Sequence, residues 1–264
     1  IGKYIAKNSK AKVIFNGDGA DELMGGYLYL HKAPSATEFD RECKRLLNDI
    51  PFFDVLRSDK SISSNGLEPR TPFLDRKWVE FYLSISKDIR YHAGNGQCEK
   101  FLIRNAFYEV QPDILPEEIL WRTKEAFSDG VSSITRSWFT IIQENIERLC
   151  VENPELAKTL DHNLIIHKNL NLMNPPTTVE QSYYRYLYNK SYYGTDNIIP
   201  YFWMPKYVDA KDSSARTLKI YDEINADTNA DTNAETNDNA NTIHYTDTRV
   251  TVNLNILSDT MVEL

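Results

Sequence analysis

The sequence predicts a mostly α-helical domain built onto at least one sheet strand, followed by a disordered tail. Three observations carry this reading. Apolar residues recur at helical spacing over Ala36–Asn48, Glu99–Val110 and Ser137–Val151. The short apolar run Lys12-Val13-Ile14-Phe15 feeds a glycine turn and then an acidic helix start. After about Tyr221 the composition turns polar and acidic, with a four-residue near-repeat.

The strand and its turn come first. Lys12–Phe15 reads as a short buried strand. Asn16-Gly17-Asp18-Gly19 is a tight turn whose glycines accept φ > 0 at little steric cost. Asp21-Glu22-Leu23-Met24 opens a helix with its acids in the first turn, where the helix dipole favours them. A strand, glycine loop and helix start in this order can present backbone N–H groups to an anion. Two acids there would repel a phosphate unless a divalent cation lay between them, which suggests a magnesium–phosphate site. A solvated turn between strand and helix is the other reading. A calcium loop is excluded: counted from Asn16, Ala20 falls on a ligand position, Asp21 where glycine is needed, and Tyr27 where the distal glutamate belongs.

Helices follow. Ala36–Asn48 turns Phe39, Cys43, Leu46 and Leu47 to one face, and Leu56–Ser64 continues as helix. In Asn65–Asp75 two prolines bias Glu68 and Thr71 to extended backbone, so an ordered loop is expected, with Asp75 capping the next helix. Glu68 and Arg70 form either an internal ion pair or part of a site. Gly94-Asn95-Gly96 is a turn. The helix Glu99–Val110 is expected to bury Phe101, Leu102, Ala106 and Phe107 and to expose Lys100 and Arg104 on a solvated face. Pro116 and Glu117-Glu118 start another helix. Trp121–Gly130 holds Lys124 between Trp121 and Phe127, either at the surface or rigidly over a pocket as a preorganised positive charge. Ser137–Val151 turns Trp138, Ile141, Ile142, Ile146 and Leu149 inward. His162 and His167 lie in an Asn-rich segment, five residues apart and with no zinc-protease spacing, and are read as non-catalytic. A tyrosine-rich helix begins after Pro175-Pro176, and Ile198–Pro205 is apolar and extended.

Composition narrows the classes. The 264 residues suffice for one or two domains, and 41% hydrophobic residues supply a core. A net charge of -8 argues against a nucleic-acid surface. No apolar run reaches membrane-spanning length. Cys43, Cys98 and Cys150 make neither a metal spacing nor a disulfide framework, so buried thiols in a reducing, cytoplasmic setting are expected. Ile1 is not an initiator methionine, and the sparse apolar residues of 1–12 make no signal peptide; the chain is expected to begin inside a longer protein. Asn225-Ala226-Asp227-Thr228 recurs at 229–232 and nearly at 233–236, and no Lys or Arg falls between Asp222 and Asp247, so 222–264 is read as a disordered tail beyond a domain of 1–221.

Together these stretches resemble glutamine-dependent asparagine synthetases, in the C-terminal part of the synthetase domain. The matching residues are Asn16–Glu22 with Gly25–Pro34, Glu68–Asp75, Gly94-Asn95-Gly96 with Glu99-Lys100 and Arg104, Trp121-Arg122 with Lys124-Glu125 and Phe127–Gly130, then Trp203–Lys206 and Ser214–Leu218. They keep the family's order from about residue 12 to 218. The resemblance implies an α/β nucleotide-binding fold of the pyrophosphate-releasing ATP enzymes, of which this chain is mostly the helical half. It implies activation of the L-aspartate side chain by ATP and Mg2+ to β-aspartyl-AMP. Ammonia from a glutamine-hydrolysing domain then attacks to give asparagine. It allows a homodimer.

By position, Asn16, Gly17, Asp18 and Gly19 would line ATP, and Asp18 would serve formation of the acyl-adenylate. Asp21 would bind the metal. Lys124 would stabilise charge on phosphates or on the tetrahedral intermediate. Glu68, with Arg70, would shape the site. The family usually has Ser, Glu and Ser where Asn16, Asp18 and Ala20 stand. The nucleophilic cysteine for glutamine hydrolysis and the Ser-Gly-Gly-x-Asp-Ser phosphate loop are missing from these residues and would lie upstream of Ile1, so the chain alone is expected not to turn over. The alternative is an inactive remnant serving as a structural or interaction module.

Overall fold

Asp75 shows how local chemistry sets element boundaries. Its carboxylate accepts hydrogen bonds from the N–H groups of Lys77 and Trp78, and helix α5, Arg76–Ser84, starts there as expected. Ser35 plays the same part for α3, Ala36–Asp49, and Thr178 for the tyrosine-rich α11, Val179–Ser191. The computed structural model describes residues 1–126, 130, 136–169, 174–195, 197–210, 214 and 218–219, with the side chains of 166–169 excluded. The expected tail over 222–264, its boundary near 221, and Phe127-Ser128-Asp129 of the lysine motif lie outside the described residues, as does the His167 side chain.

The described chain is mostly helical. α1 (Gly2–Asn8) leads into strand β1 (Val13–Phe15), and α2 (Ala20–Met24) follows the glycine turn. α3 and α4 (Asp54–Ser63) come next, then strand β2 (Glu68–Arg70). After α5 come α6 (Lys87–Arg90), α7 (Phe101–Val110) and α8 (Glu117–Leu120). α9 (Trp138–Glu152), α10 (Pro154–Asn169) and α11 pack together around Ile146 and Leu160. Among the described residues no helix is long and apolar enough to cross a membrane.

The loop expected at Asn65–Asp75 in fact contains β2, which pairs in parallel with β1 in the register Val13–Glu68, Ile14–Pro69 and Phe15–Arg70. The extended bias that Pro69 imposes on Glu68 suits a strand as well as a loop. β1 itself is not buried: Val13 is 44% and Phe15 73% exposed, because the two-stranded sheet has no layer over these side chains among the described residues.

Two apolar clusters form the core near the glycine turn, the first of them built on α2. One joins Ala20, Leu23, Met24 and Tyr82, with α5 packed on α2. The other gathers Leu28, Tyr29, Leu30, Phe39 and Cys43, with Trp203 and Tyr207 of the extended C-terminal stretch against it. Under that stretch the buried Glu42 carboxylate accepts from Tyr29 at 2.8 Å, from Arg45 at 2.6 Å and from Lys206 at 3.2 Å. Burial pushes its carboxyl up, but these donors outweigh it and hold it below the usual range.

Other expectations shift at the edges. α7 begins at Phe101, two residues late, and Ala106 and Phe107 face outward because the packed side of the helix is its first half. Trp138 is half exposed at the first residue of α9. The Asn-rich segment around His162 is helix α10, whose polar residues cover a solvated face; His162 is exposed there.

Candidate functional site

The glycine turn is built from its own polar groups. Gly19 takes φ +90°, and a Cβ there would meet Leu74 at 2.3 Å, so only glycine fits between α2 and the Pro72–Leu74 turn. Gly17 differs: a Cβ there would touch nothing within 4 Å, so its Cα faces open space. The turn does not offer the row of N–H groups expected from sequence. The Asp18 N–H donates to Asn16 Oδ1 at 3.1 Å, Gly19 to Glu22 Oε2 at 3.1 Å and Ala20 to the Gly17 carbonyl at 3.2 Å. The Asn16 amide, the Glu22 carboxylate and the Gly17 carbonyl thus take these donors inward. Asp18 accepts from the Ser58 hydroxyl of α4.

Glu22 closes the turn from the inside. Its Oε1 accepts from the Tyr27 hydroxyl at 2.5 Å, and Tyr27 packs on Trp203 with ring centroids 5.5 Å apart. Burial, reinforced by Asp54 and Asp21, raises its carboxyl to about 7 despite the Tyr27 bond.

Asp21 is the centre of charge. Lys100 Nζ lies 2.7 Å from Oδ1 and Lys124 Nζ 3.0 Å from Oδ2. The three side chains are each only about one-fifth exposed, at 20%, 21% and 21%. Burial pushes the Asp21 carboxyl up, but the two ammonium groups outweigh it and hold it below the ordinary range. The Gly26 Cα sits so close that a Cβ there would meet Asp21 Oδ1 at 1.9 Å, which keeps the carboxylate in place.

The two lysines reach Asp21 from different segments, Lys100 from the start of α7 and Lys124 from the irregular stretch after α8. Lys100 stands at the N-terminus of α7 in a left-handed conformation, φ +57°. One turn on, Arg104 Nη1 donates to the carbonyls of Leu120 at 2.5 Å and Arg122 at 3.0 Å. That fastens the irregular segment carrying Lys124 alongside the helix. The solvated face expected for Lys100 and Arg104 is therefore half-buried and fully engaged, because their partners lie in other segments. Helical periodicity gave Lys100 to solvent; what marked it in the sequence was Glu99-Lys100 among the residues that carry the family resemblance.

The structure thus brings together Asp21 and Lys124 of the sequence-predicted set, with Asn16, Gly17, Asp18 and Gly19 in the adjoining turn. Glu68 stands apart, paired with Arg70 and 60% exposed on the sheet next to β1. Among the described residues no three His, Cys, Asp or Glu side chains gather as a metal site. Asp21 would bring one carboxylate, which fits Mg2+ only in the manner of sites completed by substrate phosphates and water. A separate cavity of about 450 Å3 between α9, α10 and α11, lined by Ile146, Cys150, Leu160 and Val179 among others, contains none of these residues.

Comparison with known proteins finds the family that the sequence resembles. The asparagine synthase family model matches residues 2–39 and 33–171. Over 221 residues the chain is 45% identical to the glutamine-hydrolysing asparagine synthetase of Gallus gallus, 44% to that of Bos taurus and 43% to that of Homo sapiens. Each match covers 84% of this chain and 37% of the relative, so the chain spans little more than a third of the length of the curated relatives it matches.

Proposed function

The chain belongs to the asparagine synthase family, and from that premise we propose that it is the C-terminal part of the synthetase domain of a glutamine-dependent asparagine synthetase. The reaction would be ATP-dependent amidation of L-aspartate. A carboxylate is a poor electrophile; adenylation supplies a leaving group, and ammonia displaces it. Pyrophosphate and AMP leave. The setting would be cytoplasmic, with residues 1–221 acting in the domain and 222–264 as an appended tail.

The observation that supports this reading is the Lys124–Asp21 ion pair at 3.0 Å, made between segments about a hundred residues apart. Lys124 and Lys100 would carry the negative charge of the phosphates, where two fixed cations at a partly dry site are worth far more than in water. Asp21 would give one ligand to Mg2+, which when bound would withdraw charge from those phosphates. The open Cα of Gly17 would admit the nucleotide beside Asn16 and Gly19. Asp18 would serve acyl-adenylate formation, and Glu68 would shape the aspartate side.

A competing reading, an inactive structural module, is favoured by the inward use of the Asp18, Gly19 and Ala20 N–H groups. The deciding test is aspartate-dependent release of AMP and pyrophosphate from ATP and Mg2+ by the longer protein that carries this sequence, with ammonia or glutamine as nitrogen donor. Release supports the ligase; its absence in folded protein supports the module.

A further inference from the structure

Behind Lys100 lies a polar cluster that the proposed chemistry does not use. Glu99 is 2% exposed, and its Oε1 accepts from His31 Nε2 at 2.8 Å. The other oxygen, Oε2, is buried with no hydrogen-bond partner among the described residues. His92, also 2% exposed, packs edge-on against His31 at 4.8 Å and against Phe39 at 5.2 Å. Gly25, at the end of α2, approaches the same two rings so closely that a Cβ would clash with Phe39 and lie tight against His92 at 3.2 Å. One carboxylate is thus sunk into the core beneath α2, while the next residue in the chain points back to Asp21 of that helix.

A buried carboxylate is costly unless paired. A left-handed backbone is costly for a non-glycine residue. Neither feature persists unless the surroundings demand it. Here the two adjoin: Glu99 is held inward, and Lys100 beside it takes φ +57° at the start of α7 with its ammonium 2.7 Å from Asp21.

We propose that Glu99, held by His31, is a positioning residue that fixes Lys100 in its left-handed turn and aims its ammonium into the Asp21–Lys124 site for an oligophosphate anion. The proposal rests on the oligophosphate reading given above. Glu99 touches no ligand itself; it acts through its neighbour.

The test has two arms. In the first, brief acetylation of the full chain, read by peptide mass spectrometry, reports the exposure of each lysine without any ligand. Glu99→Leu and His31→Leu should raise labelling of Lys100 several-fold and leave Lys124 within about two-fold of the parent. Glu99→Gln, whose amide oxygen still accepts from His31, should restore protection. Equal rises at both lysines, or none at Lys100 in folded Glu99→Leu and His31→Leu chains, overturn the proposal. In the second arm inorganic pyrophosphate is titrated into the same chains. Glu99→Leu should weaken binding in the parent and in a Lys124→Ala background, but not once Lys100→Ala is present. Additive weakening in the Lys100→Ala background refutes the positioning role. Failure of the parent to bind pyrophosphate, or indifference of binding to Lys124→Ala, overturns the oligophosphate reading, while the labelling arm still judges Glu99.

Discussion

His92 offers a quantitative check on the packing around the site. Both of its ring nitrogens are buried with no hydrogen-bond partner among the described residues. Burial, with a contribution from His31, pushes its pKa down to about 3 from the ordinary 6.5. Between those values the unfolded chain binds a proton that the folded chain refuses. Stability therefore falls as pH falls, by about 2 kcal/mol from pH 7 to pH 5. Glu22 works in the opposite sense. Its carboxyl is raised to about 7 from 4.5, so over the same window the folded chain binds the proton first. That contributes a gain of about 2 kcal/mol by pH 5.

The two groups act in opposite directions over this window. His92→Leu removes only the first. The difference in unfolding free energy between variant and parent should then grow in the variant's favour by about 2 kcal/mol on going from pH 7 to pH 5. Urea unfolding at the two pH values, followed by circular dichroism, measures this directly; any constant packing cost of the swap drops out. A difference that does not move with pH would show that His92 is not held neutral in the core.

Three further outcomes are expected. In the longer protein, Lys124→Ala should cut aspartate-dependent pyrophosphate release by on the order of 100-fold with the fold intact by circular dichroism; retained release would refute its role. Asp18→Glu, which restores the family's longer acid, should hold or raise that rate, and a large loss would mean the turn and Ser58 are built around the shorter side chain. Gly19→Ala should lower the urea stability of this chain by about 2–4 kcal/mol, combining left-handed strain with the Leu74 clash. Leu74→Ala in the same chain should recover the clash part alone, and an unchanged midpoint in Gly19→Ala would contradict the turn geometry.

Much of the fold was legible because its signals are local. Asp75 caps α5 through its own carboxylate, and Phe39, Cys43 and Leu46 fall on one face of α3 at the spacing read from sequence. β2 was not legible. Its three residues contain a proline, and what makes them a strand is β1, more than fifty residues earlier. The outward turn of Phe107 and Trp138 escaped for the same reason: periodicity marks an apolar face but not how far along the helix a neighbour covers it.

The site divides along the same line, and Lys100 shows why. Spacing placed Lys100 and Arg104 on one face of a helix, which is correct, and then assigned that face to solvent, which is the usual fate of charges. Two non-local facts reverse the assignment. Glu99, the residue before, is held in the core by His31, and Arg104 is taken up by the carbonyls of Leu120, the last residue of α8, and Arg122 just beyond it. Glu99 points into the core beneath α2, and Lys100, in its left-handed turn, reaches Asp21 of the same helix. Glu99-Lys100 and Arg104 are therefore one device, with the first pair setting the start of α7 and the arginine setting how Lys124 lies beside it. If that is right, Arg104→Gln should loosen Lys124 and leave Lys100 protected from acetylation, the mirror image of Glu99→Leu. Loss of protection at both lysines together would instead mean that α7 moves as a whole and that neither residue positions its lysine separately.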